Sequence, residues 1–293
     1  MSSQQKIELE DIEIQLLLEG VYRYYGFDFR NYAMGSLKRR VWNTLQTEKL
    51  TSISRLQEKV LHDPVCMQRF LLGLSVNVTS MFRDPSFYVA LRNTVIPLLR
   101  TYPFIRIWHA GCSTGEEVYS MAILLFEAGL YHRCRIYATD INEVVLRKAK
   151  TGIYPLNLMQ KYTHLYLLSG GDRAFSKYYT AAYDGAVFHS FLKQNIVFSL
   201  HNLVTDASFN EFNLIVCRNV LIYFNHQLQQ QVHKLLYESL TTFGVLGLGK
   251  QETLYGTPHE QDYKILDNQE KLYRRMQWSK GKWGVRLIMN YEL

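Results

Sequence analysis

The 293-residue sequence has no long apolar run. A membrane-spanning helix needs about 18 or more consecutive apolar residues, and no segment approaches that length. The amino-terminal residues MSSQQKIELEDIEIQ contain no basic segment leading into an apolar one, so no secretory signal is predicted. These absences predict a cytoplasmic protein with no direct insertion into a membrane.

Cysteine is scarce, and its spacing forms no known pattern. The four cysteines, Cys66, Cys112, Cys134 and Cys217, include no C-x-x-C pair and no zinc-binding spacing. We therefore expect reduced thiols rather than a disulfide framework, and no bound metal.

Long basic runs, internal repeats and low-complexity segments are absent as well. The net charge of +7 suits an acidic partner or nucleic acid but specifies neither. Because no aromatic and basic platform for bases is present, nucleic acid is not an expected partner. A hydrophobic content of 47% with 20% charged residues is typical of a globular protein with a sizeable core.

The pattern of apolar residues changes along the chain. Helical patterns cover residues 8–25, 33–47 and 51–75, with a break at Pro64, and no strand is predicted before residue 100. Farther on, strand-like runs alternate with helical stretches; the runs lie at 104–110, 135–139, 195–199, 212–217 and 244–248, and the helices at 115–129, 142–150 and 226–240. This alternation predicts an α/β domain with a parallel sheet flanked by helices.

Two domains are expected from this change of pattern. Residues 1–80 form a helical domain with the start of a linker, and residues 81–293 form the α/β domain. Within the latter, residues 155–195 contain several turn signals and two short strand-like segments, which predict a small antiparallel insertion. Residues 277–293 fit either a final strand or a tail.

A glycine turn between strand and helix is the first candidate binding site. In FIRIWHAGCSTGEEVYS (104–120), an apolar strand runs into Gly111 and Gly115, followed by Glu116 and Glu117. Both carboxylates suit the positive end of a helix, but they would repel a phosphate and attract a cation. S-adenosylmethionine, a nucleoside with a sulfonium and an amino group, satisfies both conditions.

The second strand supports a nucleoside ligand. It ends at Asp140, where nucleotide-binding sheets hold a ribose diol. The alternative is that Asp140 caps the helix at 142–150 and that the glycines form only a turn.

Further stretches carry a resemblance to a known family. SVNVTSMFRD (75–84), SLHNLV (199–204) and NLIVCRNVLIYF (213–224) occur together with WHAGCSTGEEVYS, ATDIN and GIYP. In this order they closely resemble the CheR-type chemotaxis receptor methyltransferases, from about residue 10 to 275. The resemblance implies a helical N-terminal domain, followed by a Rossmann-like methyltransferase sheet with an inserted β-subdomain.

The resemblance also implies an activity. The family uses S-adenosylmethionine to esterify glutamate side chains on the helical cytoplasmic bundle of chemoreceptors, leaving S-adenosylhomocysteine. The implied cofactor-binding residues are Asn77, Thr79, Arg83, Gly111, Glu116, Asp140, Asn202, Leu203, Arg218 and Asn219. The implied catalytic pair is Arg83 and Tyr223.

The sequence departs from the family where the protein substrate would bind. A row of arginines that docks on the acidic receptor bundle shortens here to Lys38, Arg39 and Arg40, which could equally form a solvated helix face. GKQETL (249–254) replaces the common G-H-S-E pattern, and Val76 and Met81 replace a threonine and an aromatic residue. These changes leave the cofactor site intact but fit a branch that serves a non-chemotactic signalling partner.

Two other classes of function remain as alternatives to a protein-glutamate methyltransferase. One is a methyltransferase of RNA or a small molecule built on the same sheet. The other is a non-catalytic module that binds S-adenosylmethionine and associates with a signalling array.

Overall fold

The computed structural model describes residues 3–74, 79–276, 278–280 and 286–288. The chain divides into two compact units, one of Met1–Asn77 with Tyr223–Gln231 and the other of Val78–Ile222 with Val232–Leu293. The sequence pattern does not reveal that Tyr223–Gln231 belongs to the first unit, since these residues lie between a strand predicted at 212–217 and the start of a helix predicted at 226–240.

The first unit is helical. Its helices are α1 (Ser3–Tyr25), α2 (Met34–Thr47), α3 (Ile53–His62) and α4 (Pro64–Leu74). Ser52 caps α3 by accepting a hydrogen bond from the Arg55 N–H at 3.3 Å, and Pro64 opens α4, where its missing N–H costs nothing. The helices bury apolar side chains, which include Ile14, Leu17, Val21, Val41, Leu56, Val60 and Phe70.

The second unit contains the main sheet. Its strands are β1 (Ile105–Ala110), β2 (Cys134–Asp140), β3 (Ile153–Pro155), β4 (Tyr179–Ala182), β5 (Gly185–Phe188), β6 (Ile196–Leu200), β7 (Phe212–Cys217), β8 (Leu240–Leu248), β9 (Tyr263–Asp267), β10 (Leu272–Arg275), β11 (Trp278–Lys280) and β12 (Arg286–Ile288). Seven of them form one sheet in the order β6-β2-β1-β7-β8-β10-β9. The pairs from β6 to β8 are parallel, whereas β10 is antiparallel to β8 and to β9. The predicted parallel α/β sheet is thus confirmed, with an antiparallel edge that the sequence pattern did not indicate.

Helices precede and connect these strands. They are α5 (Pro85–Ala90) and α6 (Ile96–Arg100), joined by a π-helical turn at Leu91–Val95, then α7 (Glu116–Glu127), α8 (Glu143–Thr151), α9 (Met159–Leu168) and α10 (His226–Ser239). None of the helices in the described part of the chain combines the length and the hydropathy that a membrane span requires.

The predicted insertion is present as a three-stranded antiparallel sheet. Its order is β3-β5-β4, so that the central strand is the last of the three in sequence. Helix α9 lies between β3 and β4 in the chain and was not predicted. Near the end of the chain, β11 and β12 pair antiparallel, which favours a strand over a tail for the described residues of 277–293.

The order of the main sheet determines where a ligand can lie. Strand β1 lies between β2, which follows it in the chain, and β7, so the direction of the connections reverses beside β1. All six residues of β7 are buried, as expected for a strand covered on both faces. At such a switch point the carboxyl ends of neighbouring strands diverge and leave a crevice for a ligand.

Candidate cofactor site

The glycine turn after β1 packs too closely for any other residue. Gly111 has φ +80° and Gly115 has φ +91°, both in the left-handed region that favours glycine. A Cβ atom at Gly111 would lie 2.5 Å from Cγ2 of Val220, and one at Gly115 would lie 2.9 Å from Cβ of Ala149. The two glycines therefore let the exit of β1 contact the exit of β7 on one side and α8 on the other.

Asp140, at the end of β2, faces this turn. Its carboxylate accepts hydrogen bonds from the Ser113 N–H at 2.9 Å and from the Asn142 N–H at 3.0 Å. The cap of α8 is Asn142, whose side-chain oxygen accepts from the Val144 N–H at 2.9 Å. The structure therefore does not support the alternative in which Asp140 serves as the helix cap.

The two glutamates that open α7 differ in their partners. Glu116 accepts a hydrogen bond from the Thr114 hydroxyl at 2.6 Å. Glu117 lies 3.1 Å from Nδ1 of His109 and 2.8 Å from Nη1 of Arg218. Burial acts to raise the pKa of Glu117, but His109 and Arg218 lower it below its usual value. The charge of Glu117 is therefore matched inside the protein.

Glu116 and Asp140 are buried carboxylates of a different kind. Their residues are 7% and 8% exposed, and burial raises the pKa of both above the usual values. Within the described residues neither takes part in an ion pair. A buried carboxylate is costly until a cation or hydrogen-bond donors offset its charge. This pair beside a glycine turn suits a ligand with an ammonium or sulfonium group and hydroxyl donors, which S-adenosylmethionine provides.

Arg218 follows β7 and is almost fully buried. Its side chain is 1% exposed, and Nη2 lies 2.6 Å from Oδ2 of Asp84. The guanidinium carbon also lies 4.0 Å from the ring centroid of Phe87. A buried arginine needs partners that offset its charge. Asp84, Phe87 and Glu117 supply these partners for Arg218.

The exit of β7 is held by a residue that the sequence analysis did not single out. The Glu252 carboxylate accepts hydrogen bonds from the N–H groups of Asn219 at 3.1 Å and of Val220 and Leu221 at 2.8 Å. It also accepts from the Gly249 N–H at 2.6 Å. The sequence does point to Glu252, because G-K-Q-E (249–252) ends on glutamate in the same position as the G-H-S-E pattern of the family.

Asn202 and Leu203 lie in the turn that follows β6. The N–H of the preceding residue, His201, donates to the carbonyl of Asp140 at 3.2 Å, which joins this turn to the end of β2. Asn202 organises the turn itself, since its side-chain oxygen accepts from the Val204 N–H at 3.0 Å. The residues implied for adenine and ribose thus lie on adjacent connections.

The segment before α5 holds the remaining predicted residues of this unit. Thr79 and Arg83 are partly buried, and the Arg83 carbonyl accepts from Nη1 of Arg218 at 3.4 Å. Asn77 lies outside the described residues.

Tyr223 belongs to the first unit. Its carbonyl accepts from the Ala33 N–H at 2.9 Å, and its ring centroid lies 4.6 Å from the guanidinium carbon of Arg40. Tyr223 and the glycine turn thus belong to different units, and the catalytic role of Tyr223 stays a prediction.

The predicted basic docking cluster does not form a continuous surface. Arg40 is only 4% exposed and donates to the carbonyl of Leu74, so little of this side chain is available for docking. The docking role of the cluster stays a prediction. Lys38 is paired with Asp11 at 2.6 Å, and Arg39 is exposed. A helix turns about 100° per residue, so three consecutive residues point in different directions and one of them can face the interior.

Comparison with known proteins identifies the family. Residues 77–271 match the model of the CheR methyltransferase SAM-binding domain, and residues 12–75 match that of the CheR methyltransferase all-alpha domain. Methyltransferase Cher3 of Pseudomonas putida is 49% identical over 265 residues, covering 90% of this chain and 97% of that protein. A chemotaxis protein methyltransferase of Listeria monocytogenes is 31% identical over 256 residues, covering 85% of this chain and 92% of that protein. The chain therefore belongs to the CheR methyltransferase family, whose S-adenosylmethionine-binding domain it carries behind an all-alpha domain.

Proposed function

We propose that this protein transfers the methyl group of S-adenosylmethionine to glutamate side chains on the helical cytoplasmic bundle of a chemoreceptor. The products are glutamate methyl esters and S-adenosylhomocysteine. The observation that carries the proposal is the pair of buried carboxylates, Glu116 and Asp140, beside the glycine turn. The receptor as substrate is supported by relatives from Listeria and Salmonella, which are named chemotaxis protein methyltransferases.

The site residues of the second unit would each hold a separate part of the cofactor. Glu116 would offset the positive charge of the amino acid group, and Asp140 would accept hydrogen bonds from the ribose hydroxyls. Asn202 and Leu203 would lie against the adenine, and Gly111 would let the backbone approach closely. The cofactor supplies a methyl group on a positively charged sulfur.

A glutamate acceptor needs little assistance from the enzyme. Its carboxylate is already ionised at pH 7, so no general base is required. The reaction cancels the charges of carboxylate and sulfonium, so that alignment and exclusion of water are the main requirements. Arg83 would orient the incoming carboxylate through a forked hydrogen bond. For Tyr223 we propose a hydrogen bond to the acceptor, to be tested by comparing Tyr223→Phe with Arg83→Ala.

The chemical stability of the methylated product tests this proposal. The protein is incubated with methyl-labelled cofactor and a chemoreceptor cytoplasmic fragment, and the product is treated with mild alkali. A methyl ester should hydrolyse and release volatile labelled methanol, whereas N-methyl or base-methyl products should survive.

Controls separate the acceptor from the cofactor. Glu→Gln changes at the labelled positions of the receptor should abolish labelling, because a neutral amide is not nucleophilic enough without a base. Label that stays non-volatile after alkali would reject the carboxyl acceptor while leaving the methyltransferase intact. Cofactor binding without any transfer to the receptor would instead favour a different protein partner or a non-catalytic module.

A further inference from the structure

The chain bends sharply where it presents Arg83. The residues on both sides of Arg83 have positive φ angles, +50° at Phe82 and +56° at Asp84. Non-glycine residues rarely adopt this left-handed region, and such strained backbone persists only where the surroundings hold it in place. The corner formed by residues 82–84 must therefore be held by contacts on both sides.

The first side of the corner is held by packing and one hydrogen bond. The Phe82 ring is fully buried, with ring centroids 5.1 Å from Tyr88 and 5.2 Å from Tyr166. Its backbone N–H donates to the hydroxyl of Ser120 at 2.9 Å, and Ser120 belongs to α7. Phe82 is thus anchored to the same helix that begins with the two glutamates.

The second side is held by charge. The buried Arg218 guanidinium contacts the Asp84 carboxylate at 2.6 Å and, more weakly, the Arg83 carbonyl at 3.4 Å. Glu117 holds the same guanidinium at 2.8 Å. Because the Arg218 side chain is only 1% exposed, water cannot replace either carboxylate at low cost.

We propose that Asp84 and Glu117 are positioning residues, which act through Arg218 to hold the 82–84 corner and so direct the Arg83 side chain. The inference rests on the proposed role of Arg83 in methyl transfer. It also gives the two adjacent glutamates different roles, since Glu116 is assigned to the cofactor and Glu117 to the segment that carries Arg83.

The corner can be tested without any activity measurement. Hydrogen exchange is followed at the backbone amides of residues 82–84 in the wild type, in Asp84→Asn and in Glu117→Gln. Both variants keep the side-chain volume but lose a charge that holds Arg218, so exchange should become at least about tenfold faster at the corner. Glu143→Gln is the matched control, since it breaks an exposed Glu–Arg pair with Arg147. Unchanged exchange at the corner in both test variants would overturn the proposal.

Kinetics then test whether the corner acts on Arg83. Asp84→Asn should lower kcat for the receptor fragment roughly ten- to hundredfold, as expected for a small misplacement of an orienting group. The Kd of S-adenosylmethionine should change by less than about threefold, because Asp84 is not among the residues implied to bind the cofactor. In an Arg83→Ala background, adding Asp84→Asn should lower kcat no further.

The outcomes distinguish this inference from the proposed function. If the wild type forms no base-labile methyl ester, the proposed function fails, and hydrogen exchange still decides whether the carboxylates hold the corner. If the wild type methylates the receptor fragment and Asp84→Asn lowers kcat equally in the wild-type and Arg83→Ala backgrounds, the inference that Asp84 positions Arg83 is wrong. Asp84→Glu changes the side chain but keeps the negative charge. A wild-type exchange rate in this variant would show that the charge, and not the packing, of residue 84 holds the corner.

Discussion

The Asp140 carboxyl group lies in a place where the described residues supply backbone N–H donors and no ion-pair partner. Its hydrogen bonds to Ser113 and Asn142 hold the glycine turn, and burial raises its pKa. A ribose diol would add donors to the same carboxylate, which makes the residue a sensitive probe of cofactor binding.

We expect Asp140→Ala to weaken S-adenosylmethionine binding by on the order of 1.5–3 kcal/mol, through the loss of hydrogen bonds to a charged acceptor. Calorimetric titration measures this change directly. Asp140→Asn keeps an acceptor oxygen and should lose less than the alanine variant. Unchanged affinity in Asp140→Ala would remove this residue from the site.

Arg83 tests the chemistry rather than the binding. If Arg83 orients the acceptor carboxylate, Arg83→Ala should lower kcat far more than it weakens cofactor affinity. Arg83→Lys keeps the charge without the fork and should recover only part of the rate. The measurements are kcat for a receptor fragment and the Kd of the cofactor. Equal losses in both would make Arg83 a cofactor-binding residue only.

At the scale of the element, the exit of β7 depends on one carboxylate. Asn219 has φ +60°, and the three successive N–H groups from Asn219 to Leu221 point to Glu252. Burial raises the pKa of Glu252, and its backbone donors partly offset this effect. A carboxylate is suited to this place because it can accept several hydrogen bonds and carries no competing donor.

Glu252→Gln should therefore destabilise the protein. The amide group would place an NH₂ donor against backbone donors, which leaves buried groups unsatisfied at a cost of about 1–3 kcal/mol. Urea unfolding measures the difference. Glu211→Gln, at an exposed residue just before β7, is the matched control and should change stability little. Equal stability of the two variants would contradict the role assigned to Glu252.

At the scale of the whole molecule, two buried or paired groups make stability depend on pH. Burial lowers the pKa of His233, in α10, to about 4. Hydrogen bonds from Arg69 and Lys59 lower the pKa of Glu48, at the end of α2, to about 2. Both groups titrate at a lower pH in the folded protein than in the unfolded chain, where the values are about 6.5 and 4.3.

The sign of the effect is the same for both groups. The unfolded chain binds more protons than the folded protein, so the free energy of unfolding should fall as the pH falls. The His233 contribution should be lost between about pH 6.5 and 4, and the Glu48 contribution between about pH 4.3 and 2. Urea midpoints across this range should show a shallower slope in His233→Gln above pH 4 and in Glu48→Gln below it. If a variant keeps the wild-type slope in the pH range assigned to its residue, that residue does not contribute to the pH dependence of stability.

The sequence alone determined the features that depend on neighbouring residues. The alternation of strands and helices, the glycine turn and the carboxylates at strand ends follow from local sterics, side-chain periodicity and the positive end of a helix. The short edge strands β9 and β10 were missed because they carry no clear alternation, and β10 joins the sheet by pairing with β8, about 25 residues earlier in the chain. Pro64 was recognised as a break, although only the structure shows that it opens α4.

Only the tertiary structure decided which charged residues are internal. Glu116 and Glu117 are adjacent, yet Glu117 is neutralised by Arg218, 101 residues away in the chain. Arg40 lies in a basic run, but Leu74 and Tyr223 enclose it, and Glu252 meets its backbone partners across about thirty residues. Such pairings leave no local signal, because the energy of a buried charge depends on partners that only the folded chain brings within a few ångströms.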